Sequence, residues 1–313
     1  MLPETDYDQE FQNSTPVKIS WHQLVFVACV MEHMTTKKQA YLENLWHSGT
    51  PKPTDMLPIR EEWARFPGLC LFDEVGLGKT MCAMATIGTL QQLYTIQQST
   101  PDQNMLPACL RAGPTFGGLA TGIPNQRHLI VVPSSLVDQW TAEIVRFFRK
   151  SAIHLHVVSS SEKKWHGEIE TILGTKSTDP LNQIVIVAAP TLQRMFRSNA
   201  NSIAVDVKGT PRLKYLQPSN TLYAIPWCSV WIDEVQDART GKALWKALSA
   251  IMDSALIKIP MTATPLLESP NDLVNLALLV RPPTLLLAET SNLQDITLSY
   301  IASGLIYQKY TAY

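Results

Sequence analysis

The segment Asp73-Glu-Val-Gly-Leu-Gly-Lys-Thr80 constrains this chain more than any other. Glycines at 76 and 78 let the backbone curl until successive N–H groups converge on one point. Such a loop grips phosphate when it joins the end of a strand to the start of a helix, because the helix N-terminus also favours an anion. The apolar run Leu69-Cys-Leu-Phe72 precedes it. Met81, Met84, Ile87, Leu90 and Leu93 follow as a helical stripe. Lys79 then supplies a mobile positive charge for the outer phosphates of a nucleotide, and Thr80 a hydroxyl for Mg²⁺. The general pattern asks for one more glycine, four residues ahead of the Gly-Lys pair, and that place holds Asp73.

Further short apolar runs end in Pro, Asp or Thr and lead into helical patterns. They are Leu129-Ile-Val-Val132, Ile153 to Val158, Ile184-Val-Ile-Val-Ala188, Val230-Trp-Ile232 and Ile257-Lys-Ile-Pro-Met261. Continuous apolar strands alternating with helices imply an α/β fold, a mostly parallel sheet covered by helices on both faces. Ligands in such sheets bind at the carboxyl ends of the strands, where all the motifs of this chain fall. Ser134 or Ser135 can cap a helix carrying Leu136, Trp140, Ile144 and Phe147 on one face. Trp21, Trp140 and Trp231 read as core aromatics. Stretches near 48–58, 95–127, 159–182 and 197–220 mix Pro, Gly, Ser, Asn and Gln without clear period and read as loop insertions.

Asp233-Glu234 closes one of the apolar runs. In a phosphate-loop ATPase that position needs an Asp to hold Mg²⁺ and a neighbouring carboxylate to take a proton from the attacking water. Both side chains can reach one crevice because both leave the sheet at the same edge.

Bulk properties narrow the classes. The 313 residues are 45% hydrophobic and 17% charged, enough for a sizeable core. A net charge of −1 means that any nucleic-acid contact is local rather than carried by bulk charge. The five cysteines are scattered without a CxxC, which argues for a reducing compartment and against a zinc site. His154 and His156 alternate in an apolar run and read as one face of a strand. No run of about 20 apolar residues suggests a membrane span.

Taken together these motifs resemble the first RecA-like lobe of Swi/Snf-type, superfamily-two helicase-like ATPases. That family's phosphate loop typically reads DE-M-GLGKT, and the Asp73-Glu74 lead-in matches it. Trp21-His22-Gln23 resembles the upstream Gln motif, so Gln23 would read the adenine edge. Ile130-Val-Val-Pro-Ser-Ser-Leu-Val-Asp-Gln-Trp140 and Val187-Ala-Ala-Pro-Thr-Leu192 resemble the DNA-side motifs, which implies backbone contacts from Ser134, Ser135 and Thr191. Trp231-Ile-Asp-Glu-Val-Gln236 resembles the DEAH-type box, with Gln236 where His is usual. Met261-Thr-Ala-Thr-Pro-Leu266 resembles LTGTPL, so Thr262 and Thr264 would couple nucleotide state to DNA contact. Ala263 replaces the usual Gly there, Leu267-Glu268 a common Gln-Asn pair, and Phe72 a frequent Ala.

The resemblance implies ATP and Mg²⁺ as ligands, held by Gln23 and by Asp73, Glu74, Val75, Gly76, Leu77, Gly78, Lys79 and Thr80. Thr80 and Asp233 would hold the metal; Lys79, Asp233, Glu234 and Gln236 would be catalytic. It implies double-stranded DNA or chromatin as partner, no membrane, and the nucleus as location. The expected organisation is a tail over 1–19, the lobe over 20–281, and a helical C-terminal tail over 282–313 with a helix around Leu293 to Leu305. No second lobe is read in the chain, so efficient hydrolysis is expected to need one, from a longer polypeptide or from a partner subunit. The alternative expectation is an interaction module that keeps the nucleotide without turnover.

Overall fold

The computed structural model describes residues 19–35, 68–102, 105–107, 110, 116, 119, 122–149, 151–174, 179–200, 221–238, 242–265, 272, 276, 279 and 280. Five strands make the sheet: β1 Arg127–Val132, β2 His154–Val157, β3 Gln183–Ala188, β4 Trp227–Ile232 and β5 Ala255–Pro260. All pairs are parallel and their order is β2-β3-β1-β4-β5. The expected parallel α/β architecture is the one observed. Five of the apolar runs are strands, with ends shifted by up to three residues; the run Leu69 to Phe72, expected as the strand before the glycine loop, makes only isolated parallel bridges.

The apolar run before the glycine loop lies alongside β5. Leu69 and Leu71 donate their N–H groups to the carbonyls of Lys258 and Pro260, each at 3.0 Å, and Thr262 N–H returns to the Leu71 carbonyl at 3.1 Å. The approach at Gly68 is close. A β-carbon there would sit 2.5 Å from Val280 Cβ and 2.9 Å from the Lys258 carbonyl, so only glycine fits.

Successive strand residues face opposite sides. Ile130, Val132, Ile184, Ile186, Trp231, Ile257 and Ile259 enter one core layer. Leu129, Val131, Val185, Val187, Val230 and Ile232 enter the other. The first layer is closed by Phe26, Val30 and Met34 of α1 (Trp21–Thr35), by Cys82, Met84, Ile87 and Leu90 of α2 (Lys79–Ser99), and by Trp140 and Ile144 of α3 (Val137–Phe147). The second is closed by Trp165, Ile169 and Ile172 of α4 (Glu162–Gly174), by Leu192 and Met195 of α5 (Ala189–Ala200), and by Leu248 and Ile251 of α6 (Lys242–Met252). Both faces of the inner strands β3, β1 and β4 are thus covered, while the edge strand β2 stays partly exposed. Each fully buried aliphatic side chain contributes about 1.5–3 kcal/mol of transfer free energy.

Three expectations are corrected. The stretch 159–182 is not a plain loop insertion, since it holds α4. Trp165, Ile169 and Ile172 are buried at helical spacing, but Glu162, Lys163, Lys164, His166, Glu168 and Glu170 around them dilute the apolar stripe. The stretches 95–127 and 197–220 likewise begin as helix, because α2 runs to Ser99 and α5 to Ala200. The polar end of α2 is tied down from outside: Gln97 accepts from Ile123 N–H at 3.0 Å and donates to the Ile123 carbonyl at 3.2 Å. Trp21 is not core; it stands 79% exposed at the start of α1, while Trp140 and Trp231 are buried. The stretch 48–58 and the C-terminal tail 282–313 lie outside the described residues. No helix among the described residues is long and apolar enough to cross a membrane.

Candidate functional site

The glycine loop leaves the sheet beside β5 and turns directly into α2. Gly76 and Gly78 take φ values of 86° and 81°, the left-handed region that side chains resist, and Gly78 is the residue before the helix. These two residues turn the chain sharply into the first turn of α2, and Leu77 N–H closes the turn onto the Glu74 carbonyl at 3.3 Å. Lys79 is 9% exposed. Its ammonium folds back onto the carbonyls of Asp73 and Glu74, at 3.1 and 3.4 Å. These are neutral acceptors that a phosphate oxygen, carrying full charge, can displace. Burial pushes the Asp73 carboxyl above its ordinary range, partly offset by His22 and Lys79.

Asp233 directly follows the last residue of β4. Its N–H donates to the Val131 carbonyl at 2.9 Å and its Oδ1 accepts the Glu234 N–H at 3.0 Å. Burial pushes its carboxyl up; the Trp140 hydrogen bond and the Lys79 charge pull it back. The Lys79 charge pulls down both the Asp73 and the Asp233 carboxyls, though less than burial raises them. Glu234 adopts a left-handed backbone with φ 49°. A non-glycine residue held there costs about 1–3 kcal/mol and turns the chain sharply at the strand end. Glu234 Oε2 accepts from Gln236 Nε2 at 2.5 Å, Gln236 Oε1 accepts from the Thr262 hydroxyl at 2.5 Å, and Thr262 Oγ1 accepts from Thr264 N–H at 3.0 Å. The carboxylate and the Thr-Ala-Thr turn are one connected polar chain.

The remaining expected residues separate into two groups. Gln23 does reach the glycine loop, but its amide is already engaged: Oε1 accepts from Ser20 N–H at 2.9 Å and Nε2 donates to the Leu77 carbonyl at 3.1 Å. In this state it braces the loop. His22 Nε2 meets the same Leu77 carbonyl at 2.9 Å, a contact sequence reasoning missed. Ser134 and Ser135 lie on a short 3-10 turn (Ser134–Leu136) after β1, exposed, and neither makes a capping hydrogen bond to α3, contrary to expectation. The turn itself satisfies the chain there, through Leu136 N–H to the Pro133 carbonyl at 3.0 Å. Thr191 is 2% exposed and its hydroxyl accepts from Arg194 at 3.3 Å, so it faces inward rather than toward a nucleic-acid surface.

The residues fit a magnesium nucleotide. No group of three or more His, Cys, Asp or Glu side chains among the described residues is placed to hold a metal by itself. Mg²⁺ does not require one, since it is commonly held by one or two carboxylates with substrate phosphates and water. Asp233 after β4 and the Thr80 hydroxyl at the first turn of α2 are oxygen ligands of that kind. Trp140 completes this site, with Nε1 donating to Asp233 Oδ2 at 2.8 Å. The one hint in the sequence is that a buried indole needs an acceptor.

Solved structures offer distant likenesses. The SWI2/SNF2 ATPase core of Sulfolobus solfataricus in complex with dsDNA is 15% identical, with a TM-score of 0.48 over 92% of this chain and 40% of that one. The SWI2/SNF2 ATPase core domain of the same organism is 18% identical, with a TM-score of 0.44 over 79% of this chain and 42% of that one. The UvsW helicase from bacteriophage T4 is 10% identical, with a TM-score of 0.40 over 90% of this chain and 66% of that one. The chain therefore spans 40% to 66% of the length of these proteins. No curated protein matches it. The family model for the SNF2-related domain matches residues 22–292, a stretch that takes in the glycine loop, the Asp233-Glu234 pair and the Thr262–Thr264 turn, and the chain belongs to the SNF2-related domain family.

Proposed function

We propose that this chain binds ATP with Mg²⁺ at the glycine loop and is the first lobe of a DNA-dependent ATPase or translocase of helicase type. A second lobe, in the same polypeptide or a partner, completes the site for efficient hydrolysis. The observation that carries this reading is that the end of β5 ties the run leading into the glycine loop to the end of β4. Thr262 N–H meets the Leu71 carbonyl on one side, and Met261 bonds Ile232 and Val235 on the other, so the loop of Lys79 and the Asp233-Glu234 pair leave the sheet at neighbouring points.

Each residue then has a task set by its place. The 76–80 backbone N–H groups hold the phosphates, and Lys79 transfers its ammonium from the Asp73 and Glu74 carbonyls to the outer phosphate oxygens. Thr80 and Asp233 hold the metal. Bound Mg²⁺ would supply positive charge that offsets the charge of the phosphates. Glu234 accepts the proton of the attacking water, and Gln236 keeps its carboxylate aimed while passing its state to Thr262 and Thr264. The exposed Ser134 and Ser135 meet DNA phosphates, contacts that position without reading sequence. Double-stranded DNA or chromatin is the partner on this reading, and the nucleus the location.

Calorimetric titration with Mg-ATP tests it. Lys79→Ala should weaken binding on the order of a hundredfold, the scale of one or two charged hydrogen bonds, with an unchanged circular dichroism spectrum. Equal affinity in the two proteins would overturn the phosphate-loop assignment.

A further inference from the structure

We propose that Trp140 is a positioning residue for Asp233, holding that carboxylate in the orientation that receives Mg²⁺. The inference rests on the reading that Asp233 is a metal ligand. Trp140 lies on α3, in the first core layer, and is 1% exposed. Its indole carries a single polar atom, which can only donate. That N–H goes to Asp233 Oδ2 at 2.8 Å, across 93 residues of sequence. Leucine or phenylalanine would satisfy the apolar stripe of α3 equally well. What the indole adds is a donor at the end of a rigid ring that reaches the sheet edge from beneath.

Among the described residues, the other donor to the Asp233 carboxylate comes from its own turn, Glu234 N–H on Oδ1 at 3.0 Å. Together the two donors fix both oxygens and so remove the side-chain rotation an aspartate at a strand end would keep. A carboxylate has about four acceptor positions, so two donors leave lone pairs for a cation. The backbone is registered as well: Asp233 N–H bonds Val131, and the chain from Val131 leads through Pro133 into the turn that starts α3. The helix carrying the ring follows β1 and the carboxylate follows the neighbouring β4, so packing of α3 sets their separation.

The experiment uses the whole chain and two readouts besides turnover. ATP affinity is measured with Mg²⁺ and with EDTA. Trp140→Phe should lose about tenfold of the Mg²⁺-dependent gain while its affinity in EDTA stays within about twofold. A residue that merely packs would lower both together. In an Asp233→Asn background the same substitution should cost nothing further in Mg²⁺ dependence. In ¹H–¹⁵N spectra, the Trp140 indole N–H is the one lost in Trp140→Phe and displaced in Asp233→Ala. It should shift with Mg-ATP and not with ATP in EDTA. If Trp140→Phe does not fold, the Asp233→Ala assignment keeps this spectral test available in the native protein. A wild type with a Mg²⁺-dependent gain that Trp140→Phe retains in full, or an indole resonance indifferent to Mg-ATP, overturns the proposal. A wild type that binds ATP without any Mg²⁺ dependence overturns instead the reading of Asp233 on which it rests.

Discussion

The Thr262 hydroxyl donates to Gln236 Oε1 at 2.5 Å, joining the turn after β5 to the turn after β4. Gln236 donates onward to Glu234, so a carboxylate, an amide and a hydroxyl form one line across two neighbouring strand ends. Thr262→Val keeps the volume and removes the hydroxyl. That hydroxyl donates to Gln236 Oε1 and accepts from Thr264 N–H; with Gln236 half-buried and Thr264 exposed, each lost hydrogen bond costs about 0.5–1.5 kcal/mol. Urea denaturation should show that loss. In a two-lobed protein the same variant should lower ATP turnover with nucleotide affinity changed less than about twofold.

Glu234→Gln separates holding nucleotide from using it. Glutamine still offers an oxygen to Gln236 Nε2, so the turn keeps its geometry, but it cannot take a proton. ATP affinity should remain, while single-turnover hydrolysis, measured with a second lobe present, should fall about 10²–10⁴-fold. Undiminished turnover would remove Glu234 as the base.

His128 makes stability depend on pH. Its ring is fully buried between strands, with Nδ1 2.7 Å from Ser229 Oγ, which also accepts from the Trp231 indole at 2.8 Å. Burial pushes its pKa from 6.5 down to about 3, opposed in part by the Leu181 backbone. Below about pH 6.5 the unfolded chain takes up a proton that the folded chain refuses until about pH 3. Stability should therefore fall as pH drops through that interval, by up to about 1.4 kcal/mol per pH unit from this residue. Urea midpoints at pH 7, 5.5 and 4.5, as chosen test points of about these values, should fall less steeply for His128→Gln. Burial also lowers His156, so some slope should persist.

Much of the fold was legible because the inner strands are buried on both faces. A strand such as Trp227–Ile232, buried at every position, leaves an unbroken apolar run in the sequence. The phosphate loop was legible for a different reason: its backbone needs φ values near 80°, which only the glycines at 76 and 78 accept without strain. Helix α4 was less legible, since three buried side chains among charged neighbours carry too little contrast. Trp21 misled because an aromatic beside a helix pattern usually packs, whereas here the helix places Phe26, Val30 and Met34 inward and leaves Trp21 in solvent.

The sequence by itself determined the parallel α/β class, the glycine loop with Lys79, and the Asp233-Glu234 pair at a strand end, because backbone freedom and hydrophobic runs are local properties. Only the tertiary structure decided that Gln23 spends its amide on Leu77 and that Trp140 holds Asp233. Those are hydrogen bonds between segments up to 93 residues apart. A donor's partner depends on which strands become neighbours and how a helix is rotated on them, and no local pattern of residue types carries that information.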